Sequence, residues 1–121
     1  MYTLRIELDQ LPHSLNSALR TDRYKRNRIN KRWDLLVMAQ CMRKMPLKPL
    51  AKAKIKLVRH SHRMLDYDGL VGSMKPVVDA LVSARILIDD RWSVTRSWNV
   101  DQVFREKKLG QLLEIEVTEV V

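Results

Sequence analysis

The sequence contains few of the residues that build cross-linked, loop-dominated or membrane-spanning proteins. Its 121 residues include one cysteine, three glycines and four prolines. With Cys41 alone, neither an intramolecular disulfide nor a CxxC motif can form. No stretch approaches the roughly 20 consecutive apolar residues of a membrane span, and the N-terminal segment lacks the apolar core of a secretion signal. We therefore expect a protein of the reducing cytoplasm with no membrane partner.

Acidic residues are few relative to basic ones. There are 23 lysines and arginines against 14 aspartates and glutamates, which gives a net charge of +9. An excess of this size favours a polyanionic partner, of which nucleic acid is the commonest. Seven basic residues fall within 13 positions: Arg20, Arg23, Lys25, Arg26, Arg28, Lys31 and Arg32. We predict that this cluster binds DNA phosphates, with affinity that falls steeply as salt rises; the alternative interpretation is a solvated helix face.

Hydrophobic periodicity predicts a single α+β domain over residues 1–121. Alternating polar and apolar residues predict strands at 3–8, 51–58, 93–105 and 113–118. Helical spacing predicts helices over 22–45 and 69–85, with Pro76 either kinking the second helix or standing in its first turn near Lys75. The order β-α-β-α-β-β predicts two layers, a mixed sheet with helices packed on it.

Two acidic pairs are candidates for chemistry. Asp66 and Asp68 lie two apart in a segment that we expect to be extended, so both carboxylates would point to one side. Neighbouring carboxylates of this kind suit a hard cation such as Mg²⁺, although a solvated loop is the commoner explanation of the motif alone. Asp89 and Asp90 follow an apolar run at 86–88, where a turn or a helix cap is the alternative.

Lys75 and Asp79 are four residues apart and share one face if their segment is helical. An ordinary helix salt bridge explains that pair equally well. The combination is more specific, because acids from two elements and one lysine fall within 25 residues. We expect the loop, the helix and the following turn to bring them together.

These segments resemble the signature of the RusA family of Holliday-junction resolvases. The resemblance rests on Asp66-Tyr67-Asp68, on Lys75-Pro76-Val77-Val78-Asp79-Ala80-Leu81, on Ile88-Asp89-Asp90 and on Pro12-His13-Ser14-Leu15-Asn16 with Arg20 after it. It covers nearly the whole chain. Two departures are Gly69, where that family usually has asparagine, and a longer spacing between Asp68 and Lys75.

The resemblance implies a homodimer that cuts four-way DNA junctions symmetrically with Mg²⁺ or Mn²⁺ and no organic cofactor. Carried over residue by residue, it gives Asp66, Asp68 and Asp90 as metal ligands and Lys75 as the essential lysine. Asp90 is preferred to Asp89 because of its spacing from Asp79. Asp79 and Asp89 then become supporting residues. Asn16 joins the basic cluster as a DNA-binding residue.

Phosphodiester hydrolysis gives these residue types a physical rationale. A carboxylate-held Mg²⁺ activates water and clamps phosphate oxygens, while a lysine adds positive charge where anionic charge develops. A two-fold dimer also matches the two-fold symmetry of a four-way junction. The alternatives are a nuclease for other branched DNA, a non-catalytic basic DNA-binding protein whose aspartates are caps and turns, and a family member that has lost activity.

Overall fold

A computed structural model describes residues 1–13 and 23–121. The described strands are β1 (Thr3–Leu8), β2 (Ala53–Ser61), β3 (Asn99–Phe104) and β4 (Leu112–Glu119). The described helices are α1 (Arg23–Cys41), α2 (Tyr67–Ser73), α3 (Lys75–Ser83) and α4 (Trp92–Thr95), with a 3₁₀ turn at Lys107–Leu109. The predicted α+β class is confirmed. Within these residues no helix is both long enough and apolar enough to cross a membrane.

The four described strands form one mixed sheet in the order β1-β4-β2-β3. Strand β4 pairs antiparallel with β1 and β2, whereas β2 pairs parallel with β3. In β1, β2 and β4 every second residue is buried, including Ile6, Ile55 and Ile115. The residues between them are exposed or half-buried, so one face of the sheet is covered and the other is open. The alternation in the sequence predicted this arrangement.

Two helices supply the apolar layer on the covered face. Helix α1 buries Trp33, Val37 and Cys41, a stripe of every fourth residue. Helix α3 buries Val77, Val78 and Leu81 and packs against α1. These stripes join the inward residues of the strands in one hydrophobic core. The start of α3 is thereby fixed on a rigid support, which matters because Lys75 is its first residue.

Several predicted boundaries are wrong, and the strand predicted over 51–58 is one of them, since β2 runs from Ala53 to Ser61. The first helix ends at Cys41 rather than at residue 45, ahead of Pro46. The helix predicted over 69–85 is two helices separated by Met74, and Pro76 stands in the first turn of the second. Proline is tolerated there because the first turn needs no backbone N–H donor. The strand predicted over 93–105 begins only at Asn99, since the residues of α4 form a helical turn that buries Val94 and Thr95.

Candidate functional site

Lys75, Asp79 and Asp90 form an ion-paired group that we call the Lys75 cluster. Lys75 Nζ lies 2.9 Å from Asp79 Oδ1, one helical turn along α3. The same Nζ donates a hydrogen bond to Asp90 Oδ2, 15 residues along the chain. The side chain of Lys75 is 55% exposed, so solvent and ligands reach the ammonium group despite its two partners. The predicted i,i+4 pair is therefore confirmed, and it has a third member.

The end of helix α3 brings the following chain back toward Lys75. Arg85 adopts the left-handed conformation with φ of 62°, and the Ile86 N–H donates to the Leu81 carbonyl at 3.0 Å. This bond pattern is a Schellman motif, which reverses the chain at a helix end. The apolar run then pairs with Leu50, whose N–H donates to Ile86 O at 2.8 Å and whose carbonyl accepts from Ile88 N at 3.0 Å. Asp90 comes two residues after Ile88, so the Leu50 pairing positions the chain that leads to Asp90.

The two adjacent aspartates have different surroundings. Asp89 Oδ1 accepts from the backbone N–H of Asp90 at 2.7 Å, and its other oxygen lies 3.1 Å from Arg91 Nε. Asp90 instead directs its carboxylate to Lys75. Asp89 therefore stabilises the turn in which Asp90 lies, and Asp90 is the member of the pair that contacts Lys75.

Electrostatics keep both charges of the Lys75–Asp90 contact in place. The hydrogen bond from Lys75 lowers the pKa of Asp90, and the opposing effect of burial is smaller. Burial works against the charge of Lys75, but hydrogen bonds with Asp90 and Asp79 outweigh it together, so the pKa of Lys75 is raised. Around neutral pH both shifts favour an ammonium group on Lys75 and an ionised carboxylate on Asp90.

Asp66 and Asp68 lie at the start of helix α2, and the expectation of an extended segment is wrong there. Asp66 is the N-cap with extended dihedral angles (φ −63°, ψ 155°), but its side chain makes no capping hydrogen bond. Tyr67 begins the helix and Asp68 lies in its first turn. Both aspartates are exposed. Successive helical residues rotate by about 100°, so the two carboxylates do not project as a parallel pair from a strand.

The predicted metal ligands are not gathered in this arrangement. Over residues 1–13 and 23–121, no group of three or more His, Cys, Asp or Glu side chains is placed to hold a metal ion. Asp66, Asp68 and Asp90 have the oxygen donors that Mg²⁺ prefers, but their described positions do not fit a three-ligand site. Ion pairs thus join Lys75 to Asp79 and Asp90, and none of the ion pairs among residues 1–13 and 23–121 includes Asp66 or Asp68.

Gln102 of strand β3 positions the chain directly before Asp66, which the sequence did not reveal. Its amide oxygen accepts from the Leu65 N–H at 3.0 Å, and its amide nitrogen donates to the Leu65 carbonyl at 2.8 Å. A side chain that satisfies both backbone groups of one residue fixes that residue like a short strand pair. A polar residue on the half-buried side of β3 was the only signal for it.

The basic cluster lies on the N-terminal half of helix α1. Its described members are all exposed: Arg23, Lys25, Arg26, Arg28, Lys31 and Arg32. Arg28 lies over the ring of Tyr24, with 5.2 Å from its guanidinium carbon to the ring centroid, and Arg32 donates to Gln10 at 2.6 Å. Asn16 and Arg20 lie outside the described residues. A solvent-facing cationic helix surface is what the phosphate-binding prediction requires.

Comparisons with known proteins add no assignment. No protein-family model matches this chain. No curated protein matches it either. The function therefore has to be argued from the geometry of the chain's own residues together with the motif resemblance.

Proposed function

We propose that this chain is a divalent-cation-dependent endodeoxyribonuclease that resolves four-way DNA junctions as a homodimer in the cytoplasm. The contact between Lys75 and Asp90 carries the proposal. It unites two residues of the motif across 15 positions of sequence, at the supported end of a helix. A salt bridge within α3 alone would need only Asp79, so the second carboxylate points to a group with more than a helical role.

Lys75 supplies fixed positive charge in this proposal. Its side chain is half exposed, so a phosphate oxygen can approach it while the two aspartates hold its position. A cation placed where negative charge develops on phosphorus stabilises the transition state. Asp79 keeps the ammonium group in place when Asp90 turns toward another partner.

Asp66, Asp68 and Asp90 supply the oxygen ligands in the proposal, with Mg²⁺ or Mn²⁺ as the cation. We assign no step to the metal, because the described positions of these residues do not form its site. The chain supplies the exposed carboxylates of Asp66 and Asp68 at the start of helix α2. The Gln102–Leu65 contacts hold the residue that precedes Asp66.

The exposed basic face of α1 supplies DNA binding in the proposal. Six described cations on this helix half are exposed, enough to neutralise several phosphates and to make binding strongly dependent on salt. A four-way junction has two-fold symmetry, so a homodimer offers it two equivalent sites.

Cleavage-site mapping tests the proposal. Wild type and Asp68→Asn are incubated with Mg²⁺ and a mobile four-way junction, a fork or a linear duplex. We expect symmetric cuts in the junction by the wild type, and no cuts by Asp68→Asn although it still binds the junction. Preferred cutting of the fork would instead identify a nuclease for other branched DNA. Binding without cutting on every substrate would identify a non-catalytic DNA-binding protein.

A further inference from the structure

Arg59 of strand β2 is a buried cation on the covered face of the sheet. It follows Ala53, Ile55 and Leu57 in the inward alternation of β2 and is only 8% exposed. Its Nε atom is buried and has no hydrogen-bond partner. A charged group at an inward position of a strand is unusual unless something satisfies it.

No anion of the described chain compensates Arg59. Among residues 1–13 and 23–121, no salt bridge reaches its guanidinium. The other charge that acts on it belongs to Arg63, which is also a cation; burial first and Arg63 second lower the pKa of Arg59. A guanidinium remains protonated even when buried, so this residue cannot escape the cost by becoming neutral.

The position of Arg59 connects it to the candidate site. Arg59 pairs in register with Gln102 of the parallel strand β3, and Gln102 holds Leu65 next to Asp66. Arg63 lies in the segment that leaves the carboxyl end of β2. The carboxyl ends of neighbouring parallel strands are where open α/β sheets commonly bind ligands.

We propose that Arg59 and Arg63 form a binding site for one backbone phosphate of the nucleic acid, beside the segment that carries Asp66 and Asp68. The identity of the ligand rests on the proposed function. A planar guanidinium binds two phosphate oxygens at once, and two neighbouring arginines repel each other until an anion lies between them. An external phosphate at the guanidinium supplies the anion that Arg59 lacks and joins the DNA to the end of the sheet nearest the candidate carboxylates.

Two matched variants test this proposal. Arg59→Met removes the charge and keeps an unbranched apolar side chain, whereas Arg5→Met removes an exposed arginine from the opposite face, where Arg5 pairs with Glu116 at 3.2 Å. Dissociation constants for four-way junction DNA are measured in EDTA over a series of NaCl concentrations. We expect Arg59→Met to bind about tenfold more weakly with a salt slope smaller by about one, and Arg5→Met to match the wild type.

Thermal melting without DNA separates a binding role from a structural one. Arg59→Met should melt no lower than the wild type, because it removes an uncompensated buried charge. Arg59→Lys keeps the charge without the planar fork and should fall between the two in DNA affinity. A melting temperature of Arg59→Met well below that of the wild type would show that Arg59 holds the fold and would overturn the proposal.

The remaining outcomes separate this inference from the proposed function. If Arg59→Met binds the junction as Arg5→Met does, the phosphate site is wrong, while the loss of cleavage in Asp68→Asn is unaffected. If the wild type binds no DNA, the proposed function fails. Thermal melting during a titration with inorganic phosphate at constant ionic strength then decides whether Arg59 belongs to an anion site. A rise in melting temperature that is absent from Arg59→Met supports an anion site, and any other result overturns it.

Discussion

The two halves of the candidate site are built in contrasting ways. The Lys75 cluster stands at the start of a helix whose inner face is fully buried, and its three charged groups compensate one another. Asp66 and Asp68 stand at the start of a helix of seven residues, one as its N-cap and one in its first turn, exposed and without a cation partner among the described residues. Both halves carry the residue types of the same motif, yet one is satisfied internally and the other is open to solvent.

The two groups of residues should therefore differ in how much they stabilise the fold and in how readily they bind a cation. An internally compensated group contributes to the folded state and gives up that contribution when a ligand displaces a partner. An exposed carboxylate contributes little to folding and keeps its full capacity for a cation. Changes in the exposed half should therefore alter activity alone, whereas changes in the Lys75 cluster should alter both activity and stability.

Lys75→Met should have the largest effect on activity. It removes the positive charge beside the phosphate, so we expect junction cleavage to slow by about 100- to 1000-fold. Stability should fall by less than about 1 kcal/mol, since the side chain is half exposed. Single-turnover cleavage and urea denaturation measure the two effects, with the exposed Lys48→Met as the control. A cleavage rate within threefold of the control would remove Lys75 from the site.

Leu81→Ala should have the largest effect on stability. Leu81 is fully buried between the helices and the sheet, so truncation should lower the free energy of unfolding by about 3 kcal/mol. Leu47→Ala is the matched control, because Leu47 is fully exposed and should change stability by less than about 0.5 kcal/mol. Equal denaturation midpoints for both variants would contradict the described core.

A change in the turn before Asp90 should raise stability, whereas the preceding changes should lower it. Arg85 has a φ of 62° and an exposed side chain, a conformation that costs a residue with a Cβ about 1 kcal/mol relative to glycine. Arg85→Gly should therefore raise the free energy of unfolding by up to about 1 kcal/mol and leave cleavage unchanged. Thermal or urea denaturation checks this, and a clear loss of stability would argue against the turn.

The smallest predicted effect is on pH dependence. Because the folded pKa of Asp90 is lowered, the stability it contributes is present at neutral pH and is lost as the pH falls through that lowered value. Because the folded pKa of Lys75 is raised, its contribution is lost as the pH rises through that raised value. The stability difference between wild type and Lys75→Met should thus shrink at both extremes. A difference that grows under acid conditions would contradict the ion pair.

The sequence predicted the parts of the fold that depend on local pattern. Alternation over residues 3–8 and 113–118 predicted strands β1 and β4 closely, because one covered face imposes a period of two. Helical spacing over 22–45 predicted helix α1 for the same kind of reason, and Trp33 and Val37 lie on its buried side. When one face of a strand or helix is buried, apolar residues recur in the sequence at the period of that element.

Features that depend on contacts between distant segments left little local signal. The predicted helix began at Gly69, so the start of α2 at Tyr67 and the break at Met74 were missed. Gly69 and Gly72 are poor helix formers, and the burial of Leu70 overrides that propensity. The turn after α3 has arginine at the position that glycine usually takes, so the approach of Asp90 to Lys75 had no signal beyond the motif itself.

Arg59 was missed for a simpler reason. The predicted strand stopped at Val58, whereas β2 continues to Ser61. One further step of the alternation would have placed an arginine on the inward face. A charged residue at an inward position is therefore worth testing wherever a predicted strand end is uncertain by two residues.

Mg²⁺-dependent nicking of a four-way junction by wild type, Asp66→Asn and Asp101→Asn tests the central claim most directly. Asp101 is an exposed aspartate on the edge strand β3, so its variant removes the same charge outside the candidate site. We predict that Asp66→Asn loses nicking by at least about 100-fold with an unchanged melting temperature, and that Asp101→Asn nicks at the wild-type rate. Equal nicking by all three proteins would show that these carboxylates do not carry out the chemistry.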